Sequence, residues 1–407
     1  MIYKSYLAYI ILAFILLVDA ISKPEYSFIL ACTALPFFIT LKRSIEKKEI
    51  FIFWAPLLIC LFISFIYGIF NNSFSILVKD LWYFLKPIVF LLMGYYLRPY
   101  IYFKTFSRIV FFVSVVAGVA YSIPILISGD FFSMSPDNLR DKYGQGSYFF
   151  IFGLILWKQA RFNNLMKWVT LSLSSIILIA LILSYSRIMF VFIVLFLFIH
   201  FFPNITKTKI IQACLLIIMF VTAIPIYDTS VSEGDRGTFV EKLAFSFSEI
   251  RPQIYLLDRD IHDRWRGYET FMAISKYQEG TTYEYIFGQG LGQIVPINFA
   301  KRSRTGDEPL YHLEWLHNGY MTILLKCGFL GLVTFLFAFY NLLNTKITRD
   351  RNEESAYSLV IFIIIISTFL LGGFFNKSDV FLLFVTLGFL FHPPKTSLQN
   401  QSLELKL

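Results

Sequence analysis

Apolar runs follow one another nearly end to end along this chain, separated by short polar breaks. A helix crossing a hydrocarbon core of about 30 Å needs about 20 apolar residues, and the runs predict spans at 5–22, 25–41, 50–70, 74–97, 105–128, 146–160, 168–184, 186–202, 209–228, 316–341, 356–375 and 378–392. The stretch from Trp168 to Phe202 is apolar over 35 residues. As one helix it would reach about 52 Å at about 1.5 Å per residue, so it must fold back. Its polar interruption, Ser184-Tyr185-Ser186-Arg187, marks the turn.

Basic residues orient these spans. Lys158, Arg161 and Lys167 precede the hairpin, and Lys207 and Lys209 follow it. Positive charge concentrates in cytoplasmic loops, which places the 184–187 turn on the opposite side. Lys42, Arg43, Lys47 and Lys48 mark one cytoplasmic loop, Arg98 and Lys104 the next, and Lys346, Arg349 and Arg351 a third. Both termini then lie in the cytoplasm, and residues 229–315 lie outside. The chain divides into helices 1–9 over 1–228, a large extracytoplasmic loop over 229–315, and helices 10–12 with a short tail over 316–407.

The loop holds ten Lys/Arg and thirteen Asp/Glu, so it is no basic arm for nucleic acid. Its length argues for folded structure. Residues 238–250 suit an amphipathic interfacial helix and 262–278 a second helix. No internal repeat is visible, which disfavours a secondary transporter.

Composition excludes a soluble protein: 57% of the 407 residues are hydrophobic and 15% are charged. The expected fold is an all-α, polytopic transmembrane bundle of about twelve spans. The net charge of +9 is mostly the orientation signal. Cys32, Cys60, Cys214 and Cys327 sit in apolar runs without metal or disulfide spacing, and read as small packing residues. No small-residue cleavage site follows the first apolar run, so a retained first span is expected.

Several charges stand where insertion makes them costly. Lys79 and Lys86, two helical turns apart beside Asp80, share a face of the fourth span. They either snorkel to the outer headgroups or wall a site for an anionic ligand. Arg187 at the hairpin tip opposes the orientation rule and is a candidate ligand contact. In DRWRGYETF, Arg264 and Arg266 form a solvated salt-bridged face or a phosphate-binding fork. His317 lies where the loop re-enters the membrane. An imidazole there is either a proton acceptor or a structural hydrogen-bond donor, with His312 and Asn318 as neighbouring substrate contacts. Lys326 requires an anionic partner or a wet cavity, while Gly328 and Gly331 allow close approach of another helix. The turns YGQGSY (143–148) and FGQGLGQ (287–293) are ordinary turns or, less specifically, amide nests for phosphate.

Three patches together resemble the O-antigen ligase and polymerase family of bacterial envelope enzymes. They are LSYSRIMFVF at 183–192, DRWRGYETF followed by GQGLG, and LHNGYMTILLKCGFLGL at 316–332. The resemblance in topology spans nearly the whole chain. At the residue level it is concentrated between 183 and 332. It implies a glycosyltransferase acting on the outer face of the cytoplasmic membrane on an undecaprenyl-diphosphate-linked glycan donor. It further implies inversion at the anomeric carbon and no metal or other cofactor. Arg187, Arg264 and His317 match the family's functional arginines and histidine, whereas Lys326 stands where many members carry an acid. Implied partners are a sugar acceptor (a lipid-linked repeat unit or lipid A–core), membrane lipid, a chain-length regulator and a flippase. Polymerisation of repeat units is the leading expectation. Ligation of the finished chain to lipid A–core or protein is the alternative, and a transporter or flippase is the reading from a different class.

Overall fold

The computed structural model describes residues 2–41, 48–134, 136–144, 146–157, 160, 167–184, 186, 188–189, 191–194, 197, 248–252, 261, 264–302, 309–344, 351–372 and 380–391. The described chain is mostly helical. Apolar helices α1 (Ile2–Ile21), α2 (Pro24–Leu41), α3 (Lys48–Asn71), α4 (Phe74–Leu97) and α5 (Phe103–Ser128) follow in order. Short helices α6 (Asp130–Ser133) and α7 (Pro136–Tyr143) lead to α8 (Tyr148–Leu156) and α9 (Lys167–Leu183). Further along the chain come α10 (Trp265–Gln278), α11 (Thr282–Phe287), strands β1 (Val295–Arg302) and β2 (Pro309–Leu313), then α12 (Gly319–Asn344), α13 (Arg351–Leu371) and α14 (Val380–Phe391).

Helices therefore stand at the first seven predicted spans and at the last three. Five described helices are long and apolar enough to cross a membrane. The ninth predicted span, most of the eighth and residues 238–247 of the proposed interfacial helix lie outside the described residues. The second loop helix is present as α10. The antiparallel β1–β2 ribbon was not expected; its register pairs Val295 with Leu313 and Pro296 with His312.

The bundle is tied by close helix contacts and by ion pairs at opposite ends. A Cβ on Gly94 would lie 2.0 Å from the Val385 carbonyl oxygen, and one on Gly388 would lie 1.9 Å from that of Leu91. Backbone contact at this spacing lets α4 and α14 gain dispersion contact where lipid gives no hydrophobic drive. Gly388→Ala is expected to lower the thermal midpoint of the solubilised protein, an overpacking loss of about 1–3 kcal/mol; thermal unfolding in detergent measures it. At the far end of α4, Arg98 donates two hydrogen bonds to the Glu353 carboxylate at 2.7 and 2.9 Å, both side chains being buried.

The broken helix α12 shapes the other end. Gly328 adopts φ 72°, ψ −173°, interrupting the helix after Lys326-Cys327. Carbonyls left without helical partners must be satisfied locally at membrane depth. The Leu325 oxygen accepts from the Gln289 N–H at 2.8 Å, and the Lys326 oxygen from the Ser64 hydroxyl at 2.6 Å and the Gly290 N–H at 3.2 Å. The 287–293 turn is thus inserted between α3 and α12, with Leu291 fully buried in the main core. A Cβ on Gly328 would meet the Ile286 oxygen at 2.3 Å and the Gly288 nitrogen at 2.4 Å, so this glycine admits the end of α11 and the turn after it, the close helix approach expected at this level.

Candidate functional site

The segment before α12 has its own small core. Tyr268, Met272 and Ala273 of α10 pack with Val295 and Ile297 of β1, and with Leu316 and Leu325. Glu269 lies on the same stripe of α10, because residues three and four apart share a face. That stripe carries a carboxylate into the packed interface with the segment preceding α12. Its partner is His317. The Glu269 Oε2 accepts from the His317 backbone N–H at 3.0 Å and lies 2.8 Å from Nδ1.

The two members of this pair differ in access: the histidine side chain is 45% exposed and the glutamate 3%. An ionised carboxylate only accepts hydrogen bonds; facing one, Nδ1 is the donor, and in the neutral ring Nε2 is then the nitrogen with the lone pair. A buried carboxylate holding one imidazole nitrogen sets both tautomer and ring orientation. The pair can take a proton at Nε2 and stabilise the resulting imidazolium. Glu269 was not among the sequence candidates. Its signal was an acid on the apolar stripe of Trp265, Tyr268 and Met272, inside the very segment whose arginines drew attention.

Arg264 caps the start of α10 and is half-buried; its carbonyl accepts the Tyr268 N–H at 3.1 Å. It therefore opens the helix whose second turn carries Glu269, about 7.5 Å away along the axis. Arg187 lies outside the described residues. Its neighbours Ser184 and Ser186 are buried, and a Cβ on Gly146 of the YGQGSY turn would stand 2.7 Å from the Ser184 Cβ. Gly146 is therefore packed against the residue that follows α9.

The other candidates occupy varied surroundings. Arg266 Nη1 lies 3.5 Å from Glu249 Oε1. Lys79, 40% exposed, is paired with Glu314. Lys86, on the same face, is fully buried, with Nζ 5.0 Å and 5.5 Å from the Trp82 and Tyr83 ring centroids. It does not snorkel. His312 lies half-buried on β2. Asn318 caps α12: its Oδ1 accepts the Tyr320 and Met321 N–H groups at 3.1 and 3.3 Å, which ties the side chain to helix initiation.

Lys326, the charge that most needed an explanation, has an acid for a partner. Its Nζ donates to Asp80 Oδ2 at 2.5 Å and to the Glu314 carbonyl at 2.9 Å, and sits 4.5 Å from the Trp315 ring centroid. Asp80 Oδ2 also accepts the Gly292 N–H at 2.6 Å. That amide of the glycine-rich turn is thus taken by a carboxylate of the chain itself. Among the described residues, no three His, Cys, Asp or Glu side chains converge as a metal site requires. Neither a protein-family model nor a curated protein matches this chain.

Proposed function

We propose that this protein is a membrane glycosyltransferase that polymerises undecaprenyl-diphosphate-linked oligosaccharide repeat units. On this reading it sits in the bacterial cytoplasmic membrane with twelve spans, both termini inside and residues 229–315 outside. The observation that carries the proposal is the His317–Glu269 pair. It supplies an oriented base at the membrane re-entry point, in the segment where the resemblance to O-antigen polymerases and ligases places a functional histidine.

The chemistry follows from those groups. The acceptor hydroxyl attacks C1 of the donor sugar from the face opposite the diphosphate. Its proton passes to His317 Nε2, and the C1–O bond breaks with its electron pair leaving on the lipid diphosphate. Configuration at C1 is inverted. Glu269 holds the ring and balances the imidazolium, a general-base contribution of about 10²–10⁴ in rate. Guanidinium groups of Arg264 and Arg187 meet the charge developing on the leaving diphosphate.

The test is reconstitution of the purified full-length chain in liposomes with lipid-linked repeat units alone. A ladder of lengthened glycans is the expected product. Transfer only after lipid A–core or protein is added would make it a ligase. Donor crossing the bilayer with no bond formed would end the enzyme reading. Arg264→Ala is expected to abolish the ladder at unchanged protein level. Arg187→Lys should also abolish it, because an ammonium cannot reproduce a planar two-pronged contact with phosphate oxygens; the same gel reads both.

A further inference from the structure

Residues 314–318 belong to neither β2 nor α12. Irregular backbone has no ladder of its own to hold it, so the position of His317 depends on ties from elsewhere. Those ties converge from α4 and from the broken part of α12. Lys326 Nζ holds the Glu314 carbonyl at 2.9 Å and stands over the Trp315 ring, while Lys79 pairs with the Glu314 carboxylate. Asp80 fixes that ammonium, and through the Gly292 N–H it also fixes the inserted glycine turn. Trp315 is further held by Tyr83 of α4, ring centroids 4.6 Å apart at 77°.

We infer that Asp80 and Lys326 are positioning residues: their pair clamps the 314–315 segment so that His317 meets Glu269 in the reactive orientation. This rests on the reading of His317 as the base. Both side chains are almost wholly inaccessible, at 0% and 1% exposure. A buried ion pair is a poor source of stability compared with apolar packing of the same volume. What it provides here is direction: the ammonium joins Asp80 of α4 to the Glu314 carbonyl, and the same carboxylate takes the Gly292 N–H of the glycine turn, fixed angles that no aliphatic side chain could set. A displacement near 1 Å at a reacting group lowers rate by about 10²-fold, so a clamp three residues from the base has chemical consequence.

The experiment uses the full-length protein in liposomes, comparing wild type with the double variant Asp80→Leu/Lys326→Met. Removing both charges leaves none unpaired. Two readouts are taken: the rate at which diethyl pyrocarbonate modifies His317, followed by peptide mass, and kcat and KM for glycan transfer from the lipid-linked donor. Expected are several-fold faster modification, kcat lower by about tenfold or more and an unchanged KM, since no phosphate-binding group is altered. An accumulated double variant with wild-type modification rate, or with wild-type kcat, overturns the inference. If the double variant does not accumulate, Lys79→Met is read instead at the exposed end of the same clamp. Faster modification of His317 is expected there too, and an unchanged rate overturns the inference. A wild-type protein without transfer activity would defeat the proposed function alone, because the modification rates still report on the clamp.

Discussion

His317→Ala is expected to accumulate in membranes at the wild-type level and to transfer glycan about 10²–10⁴ times more slowly, the contribution of a positioned general base. The ring is partly exposed, and its side-chain hydrogen bond is to Glu269, so its removal opens no large cavity. Glu269→Gln separates the two members of the pair. An amide lacks the negative charge that selects the Nδ1–H tautomer and stabilises the imidazolium, and in serine-protease triads the equivalent loss costs about 10⁴ in kcat. The glutamine protein should therefore lose most of its activity with little change in KM. If His317 only oriented the acceptor, His317→Gln would retain most of the rate, because its amide can still donate and accept hydrogen bonds. Single-turnover transfer with a labelled lipid-linked donor distinguishes these outcomes.

The largest expected effect on stability comes from Lys326→Met alone. It would leave the Asp80 carboxylate buried with only the Gly292 N–H hydrogen-bonded to it. Breaking a buried pair on one side costs about 3–5 kcal/mol, because the remaining charge is uncompensated. Few proteins tolerate such a loss, since total stability is about 5–15 kcal/mol. The single variant should be nearly absent from membranes. Adding Asp80→Leu should restore much of the level by removing the stranded charge. Quantitative immunoblotting of membrane fractions reads both; equal amounts of wild type and the Lys326→Met protein would contradict the pairing.

Much of the architecture was legible in the residue pattern. The fourth predicted span, 74–97, coincides with α4, and the limits of α2, α3 and α5 differ from prediction by no more than a few residues. Apolar run length is a local property, and hydrocarbon thickness turns it directly into helix length. The 262–278 helix was visible through a different local signal, its helical spacing of apolar and polar residues. The β1–β2 ribbon was not, because its residues 295–302 and 309–313 alternate too weakly to separate a strand from a loop.

The site divides along the same line. Residue type and place in the chain were enough to single out His317 and Arg264, and to require that Lys326 have a counter-charge. Which carboxylates answer them was decided only in three dimensions. Asp80 lies 246 positions from Lys326, and Glu269 lies 48 from His317. No local periodicity carries such distances along the chain. They are set by the break at Gly328 and by the inserted 287–293 turn, which bring α4, α10 and the segment before α12 together. Ionisable groups announce themselves in a sequence by the cost of burying them. The partner that removes this cost is chosen by packing.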